Sequence, residues 1–303
     1  MGRRQRGRAV NGILLLDKPA AATSNRALQE VKRLFDARKA GHTGSLDPMA
    51  TGLLPVCLGE ATKVSAFLLD ADKDYRFTAR LGERTDSGDA DGEIVERQPV
   101  EGVDPDAIER ALEGLRGDIE QVPPMYSALK RGGRPLYEYA RRGEEVERAP
   151  RRTRIHCLEL IGIDGRDVAL RVRCAKGTYV RTLAEDLGRA LGCGAHVIAL
   201  RRLGVGPFRE SAMVTLEAVR AASTKGPDAL DGLLRPVDSA LEDWPRVDVS
   251  TELAEFLRQG QAVQVPRAPT SGLLRMYESG QGFIGMGRVQ EDGRVAPKRL
   301  MNL

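Results

Sequence analysis

The sequence predicts an α+β protein, in which a large domain of interspersed strands and helices is followed by a small all-β module. Three observations predict this. Residues 73–81 alternate in the strand manner, with Tyr75, Phe77, Ala79 and Leu81 on one face, and a second pair of alternating runs flanks the turn residues Asp164-Gly165. Helical spacing recurs at about 24–35, 104–115 and 178–191. From about Arg246 the chain becomes a series of short apolar runs separated by glycines, the pattern of a small β barrel.

Taken in order, Gly12–Lys18 (GILLLDK) is a short apolar run that reads as a buried strand ended by Pro19. Thr23, Ser24 and Asn25 are N-cap candidates for a helix to about Phe35, with Leu28, Val31, Leu34 and Phe35 inward. Leu53–Leu58 reads as a strand whose Pro55 calls for an edge position or a bulge. Glu60–Leu69 reads as a helix with Ala61, Val64 and Leu68 inward. The turn-rich acidic loop 82–92 (GERTDSGDADG) lacks EF-hand spacing, so no metal is expected there. A helix at 104–115 ends at Gly117, and an amphipathic helix is expected at 135–142. The hairpin of 155–163 with 167–174 leads through Lys176-Gly177 into a helix reaching about Leu191, followed by a strand and turn within 196–208. Residues 223–231 have the composition of a linker. The terminal module is expected to hold a helix at 252–258 and strands QAVQV, GLLRMYE, GFIGMGRV and GRVAPKRLM.

The 303 residues suffice for one large domain and one small one. No apolar run approaches the length of a membrane span, and no apolar signal region follows the arginines of the first ten residues. A cytoplasmic protein with a basic N-terminal tail (residues 1–11) is therefore expected. Cys57, Cys157, Cys174 and Cys193 form no CxxC pair, and the three histidines are dispersed, which argues against a disulfide framework and a metal site. A net charge of +4 is only modestly basic, so nucleic-acid binding must be argued from clustering. Between Lys130 and Arg154 there are nine basic residues against four acidic ones, with Tyr137 and Tyr139 among them and Tyr126 just before. That mixture suits phosphate contacts and base stacking; a solvated amphipathic helix on a loop fits it equally.

The stretch 41–63 (GHTGSLDPMATGLLPVCLGEATK) concentrates the candidate chemistry. Asp47 is its one carboxylate before Glu60, on a glycine-flanked loop stiffened by Pro48, with His42, Thr43, Ser45 and Thr51 nearby. An isolated carboxylate on such a loop suits a nucleophile or base offered to a large substrate. Asp47-Pro48 also fits a helix N-cap followed by proline at the first helical position.

The string from Gly41 to Leu54 resembles the G-H-x-G-[ST]-L-D-P-x-A-[ST]-G-x-L signature of the TruB-type tRNA pseudouridine synthases. Further resemblances lie in LLLDKPxxxTS near the N-terminus, with Ala21 where that family usually has glycine, and in K-x-Y-x-x-x-x-x-L-G from Lys73. PPxYSALKxxGxxLYEYAR and KGTYxRxLxxDLG continue the series, so that it spans nearly the whole chain. The resemblance implies a pseudouridine synthase fold, with a mixed, largely antiparallel sheet flanked by helices and a C-terminal PUA-like RNA-binding barrel. It divides the chain into a catalytic domain at 12–245, with an RNA-closing segment at 123–152 that is mobile without RNA, and the PUA-like domain at 246–303. It implies conversion of uridine 55 in the tRNA T loop to pseudouridine by a monomer, with no cofactor, no metal, no membrane and no protein partner. Asp47 would be the catalytic nucleophile, attacking the ribose C1′ or else removing a proton from C2′ to give a glycal, with Arg181 its ion-pair partner and Tyr75 and Leu200 the walls around the flipped base. His42 would fill the space the base leaves, Tyr179 would enter the site, and Lys18 would belong to the substrate-binding set. Lys298 and Arg299 would face the acceptor side of tRNA, or form an ordinary surface charge pair. Arg201 and Arg202 are structural or phosphate-facing. Two rivals remain on residues alone: a glycosidase or nucleosidase, which commonly needs paired carboxylates, and an RNA-binding module without catalysis.

Overall fold

In the computed structural model, residues 7–303 are described. Arg3, Arg4 and Arg6 of the basic tail lie outside them. Arg8 lies within them and is held: its N–H donates to the Asp36 carbonyl at 2.6 Å, and its guanidinium pairs with Asp231.

The apolar run at the N-terminus forms β1 (Gly12–Lys18), buried along its length save for the half-exposed Asp17. Thr23 caps α1 (Ser24–Leu34) by accepting from the Arg26 N–H. β2 (Ala40–His42) and β3 (Thr51–Leu58) follow, then α2 (Ser65–Asp70) and β4 (Lys73–Leu81). The helix expected over 60–69 is broken: a 3-10 turn at Gly59–Lys63 ends at Val64, where α2 begins. A hairpin of β5 (Glu83–Thr85) and β6 (Ile94–Arg97) encloses the acidic loop, and α3 (Pro105–Glu113) precedes β7 (Gly117–Gln121). The basic segment folds as β8 (Lys130–Arg131), β9 (Arg134–Pro135) and α4 (Leu136–Ala140). β10 (Arg151–Asp164), β11 (Asp167–Cys174), α5 (Val180–Ala190) and β12 (Ala195–Val205) complete the centre. β13 (Phe208–Arg209), β14 (Val214–Thr215), α6 (Leu216–Lys225) and α7 (Pro227–Asp231) come next. The stretch 223–231 is thus helical rather than a linker, because Pro227 starts a second helix directly after Gly226.

Ten strands make one sheet, ordered β14-β1-β3-β12-β4-β11-β10-β7, with β2 and β13 attached to β3 and β12. Only β1–β14 and β3–β12 are parallel; the sheet is mixed and largely antiparallel. α3 and α5 cover the half built on β4, β11 and β12. The half built on β1 and β3 is covered on one side by α1 and α6, and on the other by α2, the 3-10 turn at Val237–Leu241 and the C-terminal unit.

β3 is central, which corrects the edge position expected from Pro55. Pro55 sits opposite Leu15 of β1, and its carbonyl points the other way, accepting from the Thr43 N–H at 3.2 Å. In a strand the N and the carbonyl of one residue point the same way, so the missing N–H faces the 43–50 loop and costs no ladder bond to β1.

Gly52 is the tightest point of the sheet. Its φ is +99°, and a Cβ there would lie 2.3 Å from the Arg202 carbonyl oxygen across the parallel β3–β12 contact. Gly52→Ala is expected to lose on the order of 2–4 kcal/mol of stability, read from urea unfolding. A loss under about 0.5 kcal/mol would mean that the two strands can part there without cost.

The C-terminal unit contains β15 (Arg246–Val249), α8 (Thr251–Arg258), β16 (Leu273–Glu278), β17 (Gly282–Val289) and β18 (Val295–Leu300). It is an open four-stranded sheet, ordered β15-β16-β17-β18, with α8 packed against it rather than a closed barrel. QAVQV contributes a single bridge, Val263 to Val295, instead of a strand. The unit is tied to the large domain by the Tyr277 hydroxyl donating to Asp238 at 2.5 Å and by the Lys63 ammonium donating to the Leu300 carbonyl at 2.9 Å.

Candidate active site

Strand register builds the site. Lys18, Gly52, Arg202, Tyr75 and Val172 are successive partners across β1, β3, β12, β4 and β11. Residues directly opposite one another share a face of the sheet, so this row sets Lys18, Arg202 and Tyr75 side by side. The neighbouring row, Arg171, Arg76 and Arg201, faces away, and there Arg201 donates to Asp17 through Nη1 and Nη2, at 3.0 and 2.9 Å.

The loop 43–50 crosses above the first row. No helix follows Asp47-Pro48, so the N-cap alternative does not hold. Instead the loop is fastened by side chains. Ser24 accepts from the Leu46 N–H at 2.7 Å and donates to its carbonyl at 3.1 Å, while Lys18 donates to the Pro48 carbonyl at 3.3 Å. Lys18 is 0% exposed and also donates to the Pro19 and Ala22 carbonyls. All three donors of Lys18 are used inside the protein, where it supports the loop. Burial lowers its pKa to about 8, while Asp47 pulls it upward.

At the loop's apex Asp47 meets Arg181, which the first turn of α5 carries. Arg181 Nε lies 3.0 Å from Asp47 Oδ2, and its Nη2 donates to Oδ1 at 3.2 Å, a forked pair. The Arg181 side chain is 6% exposed and that of Asp47 34%, so the carboxylate is the member that reaches the surface. On its far side Arg181 Nη1 lies 3.5 Å from Asp89 and donates to the Ser87 carbonyl at 3.1 Å, and Nη2 also donates to the Tyr126 carbonyl at 2.8 Å. Burial pushes the Asp47 pKa up, Arg181 and Lys18 pull it down, and Asp89 and Asp91 add to the upward push.

Tyr75 is half-buried in the same row, and Leu200 is buried opposite Phe77 in the β12–β4 ladder. Burial raises the Tyr75 phenol above its ordinary value, against the pull of Arg202, so the ring is neutral at pH 7. Tyr179 sits at the N-cap of α5, where its N–H donates to Gln121 Oε1 at 2.9 Å; burial raises its phenol as well. His42 ends β2, and its Nδ1 is buried without a partner among the described residues. Burial, then the charge of Arg202, lowers its pKa and keeps the imidazole neutral. Lys298 and Arg299 lie apart from the site, on the exposed part of β18, where Lys298 Nζ stands 5.7 Å from the Phe67 ring centre. A cavity of about 580 Å³ adjoins the site beyond Arg181, between α5, the acidic loop and the segment 122–148; Asp47 and Tyr75 do not line it.

Asp89, Ser24 and Arg202 are the site residues that the sequence did not single out for these places. Asp89 is one of several acids in a turn-rich loop, and nothing local marks it as the one that turns inward with a side chain 5% exposed. Chemically, the assembly holds one part-exposed carboxylate on a mostly buried charge cluster, beside an aromatic face.

Comparison with known proteins is consistent along the chain. Residues 32–180 match the family model of the TruB family pseudouridylate synthase N-terminal domain. Residues 181–242 match the tRNA pseudouridylate synthase B C-terminal domain, and 245–301 the C-terminal domain of pseudouridine synthase II TruB. The protein named tRNA pseudouridine synthase B of Nitrosococcus oceani is 55% identical over 299 residues, 99% of this chain and 97% of its own length. The protein of that name from Stutzerimonas stutzeri is 56% identical over 295 residues, 97% of this chain and 96% of its own length. Among solved structures, a chain of a Cbf5-Nop10-Gar1 complex superposes with a TM-score of 0.73 at 27% identity, covering 96% of this chain and 85% of that one.

Proposed function

Because the chain belongs to the TruB family of pseudouridylate synthases, we propose that it converts uridine 55 in the T loop of tRNA to pseudouridine, with Asp47 as the nucleophile. The observation that carries the reading is the forked Asp47–Arg181 pair beside Tyr75, in which a part-exposed carboxylate stands over a buried arginine.

The uridine must leave its stack to reach C1′ chemistry, and a flipped base needs an apolar or aromatic surface to rest on. Tyr75 and Leu200 supply it, and the neutral His42 stands where it can fill the vacated space without adding charge. Asp47 attacks C1′ as the C1′–N1 bond breaks, and the bonding pair leaves with the uracil. The detached base turns within the closed site, and C5 bonds to C1′ as the aspartyl ester bond breaks. The C5 hydrogen is then lost and N1 gains one, so the product is an isomer of the substrate. The neutral phenols of Tyr75 and Tyr179 are poor bases, and we assign the C5 proton to the freed Asp47 carboxylate. Arg181 keeps Asp47 ionised and oriented when RNA removes it from water. The reading takes the enzyme as a cytoplasmic monomer. Among the described residues no helix is long and apolar enough to cross a membrane.

The test is tritium release from a T-arm hairpin labelled at C5 of its uridines. Release of one equivalent per hairpin supports the reading. Tight binding without release would leave an RNA-binding protein.

Two further parts of the reading concern RNA contact. The C-terminal sheet binds the acceptor side of tRNA, with Lys298 and Arg299 as candidate phosphate contacts. The segment 123–152 closes over the T arm. From 128 to 150 only Leu136 is buried, so little but RNA would hold it in place. Bound tRNA is expected to slow proteolysis within 125–152 by about tenfold or more. Equal cleavage with and without tRNA counts against closure.

A further inference from the structure

Arg202 is the largest side chain in the fully buried set, 1% exposed, and among the described residues no carboxylate pairs with it. A buried guanidinium cannot shed its proton, so it needs acceptors. Three of those it finds are backbone carbonyls, and the Tyr75 phenol oxygen also lies within its reach. Nε donates to Leu53 at 2.7 Å, Nη2 to Gly44 at 3.1 Å and Nη1 to Ser45 at 3.5 Å. Leu53 belongs to β3, whereas Gly44 and Ser45 belong to the loop that carries Asp47. One rigid fork therefore ties the loop to the sheet.

The rest of the loop shows what this achieves. Leu46 is held by Ser24 through both of its backbone groups, and Pro48 by Lys18. Gly44, Ser45, Leu46 and Pro48 are each fastened from below by a side chain. Between them the Asp47 side chain is left to Arg181. An irregular loop has no ladder for its carbonyls, and these three side chains replace one.

We propose that Arg202 is a positioning residue for the isomerisation, its fork fixing the Gly44–Ser45 backbone and through it the attitude of the Asp47 carboxylate. This rests on the reading of Asp47 as the reacting group. The fork is the essential property. A single ammonium donates from one point and cannot span Leu53 and Gly44 in the same way. The charge of Arg202 also reaches the two neighbours nearest the flipped base, lowering the pKa of His42 and opposing the rise at Tyr75.

The experiment compares Arg202→Met and Arg202→Lys with wild type, and with Arg201→Met, whose side chain is on the opposite face with Asp17. Two quantities are read: the single-turnover rate at saturating T-arm RNA, with its Kd, and amide exchange of the peptide spanning 43–50. In both Arg202 variants the rate is expected to fall about 100-fold, as displacement of a reacting group by an ångström would do, with Kd within about threefold. Exchange in 43–50 should rise about tenfold or more while the C-terminal sheet is unchanged. Arg201→Met should leave both readouts near wild type. If Arg202→Met does not fold, Arg202→Lys, which keeps charge and most of the volume, carries the test. Unchanged exchange in 43–50, a wild-type rate, or a rate restored by lysine would each overturn the proposal, as would failure of both variants to fold, which would make Arg202 a residue of stability alone. The wild-type rate tests the assigned reaction separately, and the exchange readout stands without it.

Discussion

Asp47→Asn is expected to lower the single-turnover rate by on the order of 10⁴-fold or more while leaving the fold and RNA binding in place. On the proposed reading, asparagine keeps the shape but has no negative oxygen to form the bond to C1′, and removal of a nucleophile commonly costs this much. The side chain is 34% exposed and contributes no buried apolar contact, so the change leaves no core cavity. Arg181 loses one charged partner but keeps Asp89 and the carbonyls of Ser87 and Tyr126. The sign of the binding change can be predicted too. Asp47 is a negative charge facing a polyanion, so its removal should strengthen RNA binding slightly at low salt rather than weaken it. Filter binding and single-turnover tritium release on the same preparation separate the two effects. Turnover within tenfold of wild type would remove Asp47 from the chemistry.

Arg181→Met acts on the same carboxylate from the other side. It deletes the cation between Asp47 and Asp89, and two acids then share a desolvated site. The Asp47 pKa is already raised by burial, with Arg181 the largest force holding it down. Without Arg181 it must rise further, so the acid limb of the rate profile should move to higher pH and the rate at pH 7 should fall by about 10²–10³-fold. Breaking a buried pair costs about 3–5 kcal/mol; the lower end is expected here, because water reaches about a third of Asp47. The pH dependence of that loss follows from linkage. In the variant the folded state holds a proton that the unfolded chain releases near the ordinary aspartate value. The folded state therefore binds more protons, and its stability falls as pH rises through the interval between the two values. Urea unfolding should show a larger deficit relative to wild type at pH 8 than at pH 5. An equal deficit at both, with an unmoved acid limb, would show that Arg181 does not hold the charge of Asp47.

Asp89 explains why this pair is more than two residues. Its side chain is 5% exposed and touches Arg181 from the side away from Asp47. Arg181 is thereby fixed between two carboxylates and two loop carbonyls, and its fork has few other positions to adopt. The carbonyl it shares with Tyr126 belongs to the segment proposed to close over RNA, so movement of that segment is felt at the charge pair itself.

Much of this was legible in the chain. The alternation of 73–81 and of the runs flanking Asp164-Gly165 gave strands, and the spacing within 24–35, 104–115 and 178–191 gave helices, because burial of one face is a local periodic property. The resemblance around Gly41–Leu54 and Lys176–Gly188 pointed to Asp47 and Arg181 by number, and the fold puts those two within hydrogen-bonding distance. Pro55 misled because proline is disfavoured in central strands, yet here its blank side happens to face a loop. The 60–69 helix and the 223–231 linker failed at boundaries, where single residues such as Val64 and Pro227 decide.

What the sequence by itself determined was the sequence of elements and the identity of the chemical groups, since both depend on neighbours a few residues apart. Only the tertiary structure decided which of two adjacent arginines would go inward. Arg201 and Arg202 are equivalent in composition and context, but successive residues of a strand face opposite sides. The β12 register sends Arg201 to Asp17 on one face and buries Arg202 beneath the Asp47 loop on the other. The same holds for Asp89 and Lys18. Their roles are set by partners 92 and 30 residues distant along the chain, Arg181 and Pro48, and burial among such partners is a property of the packed sheet.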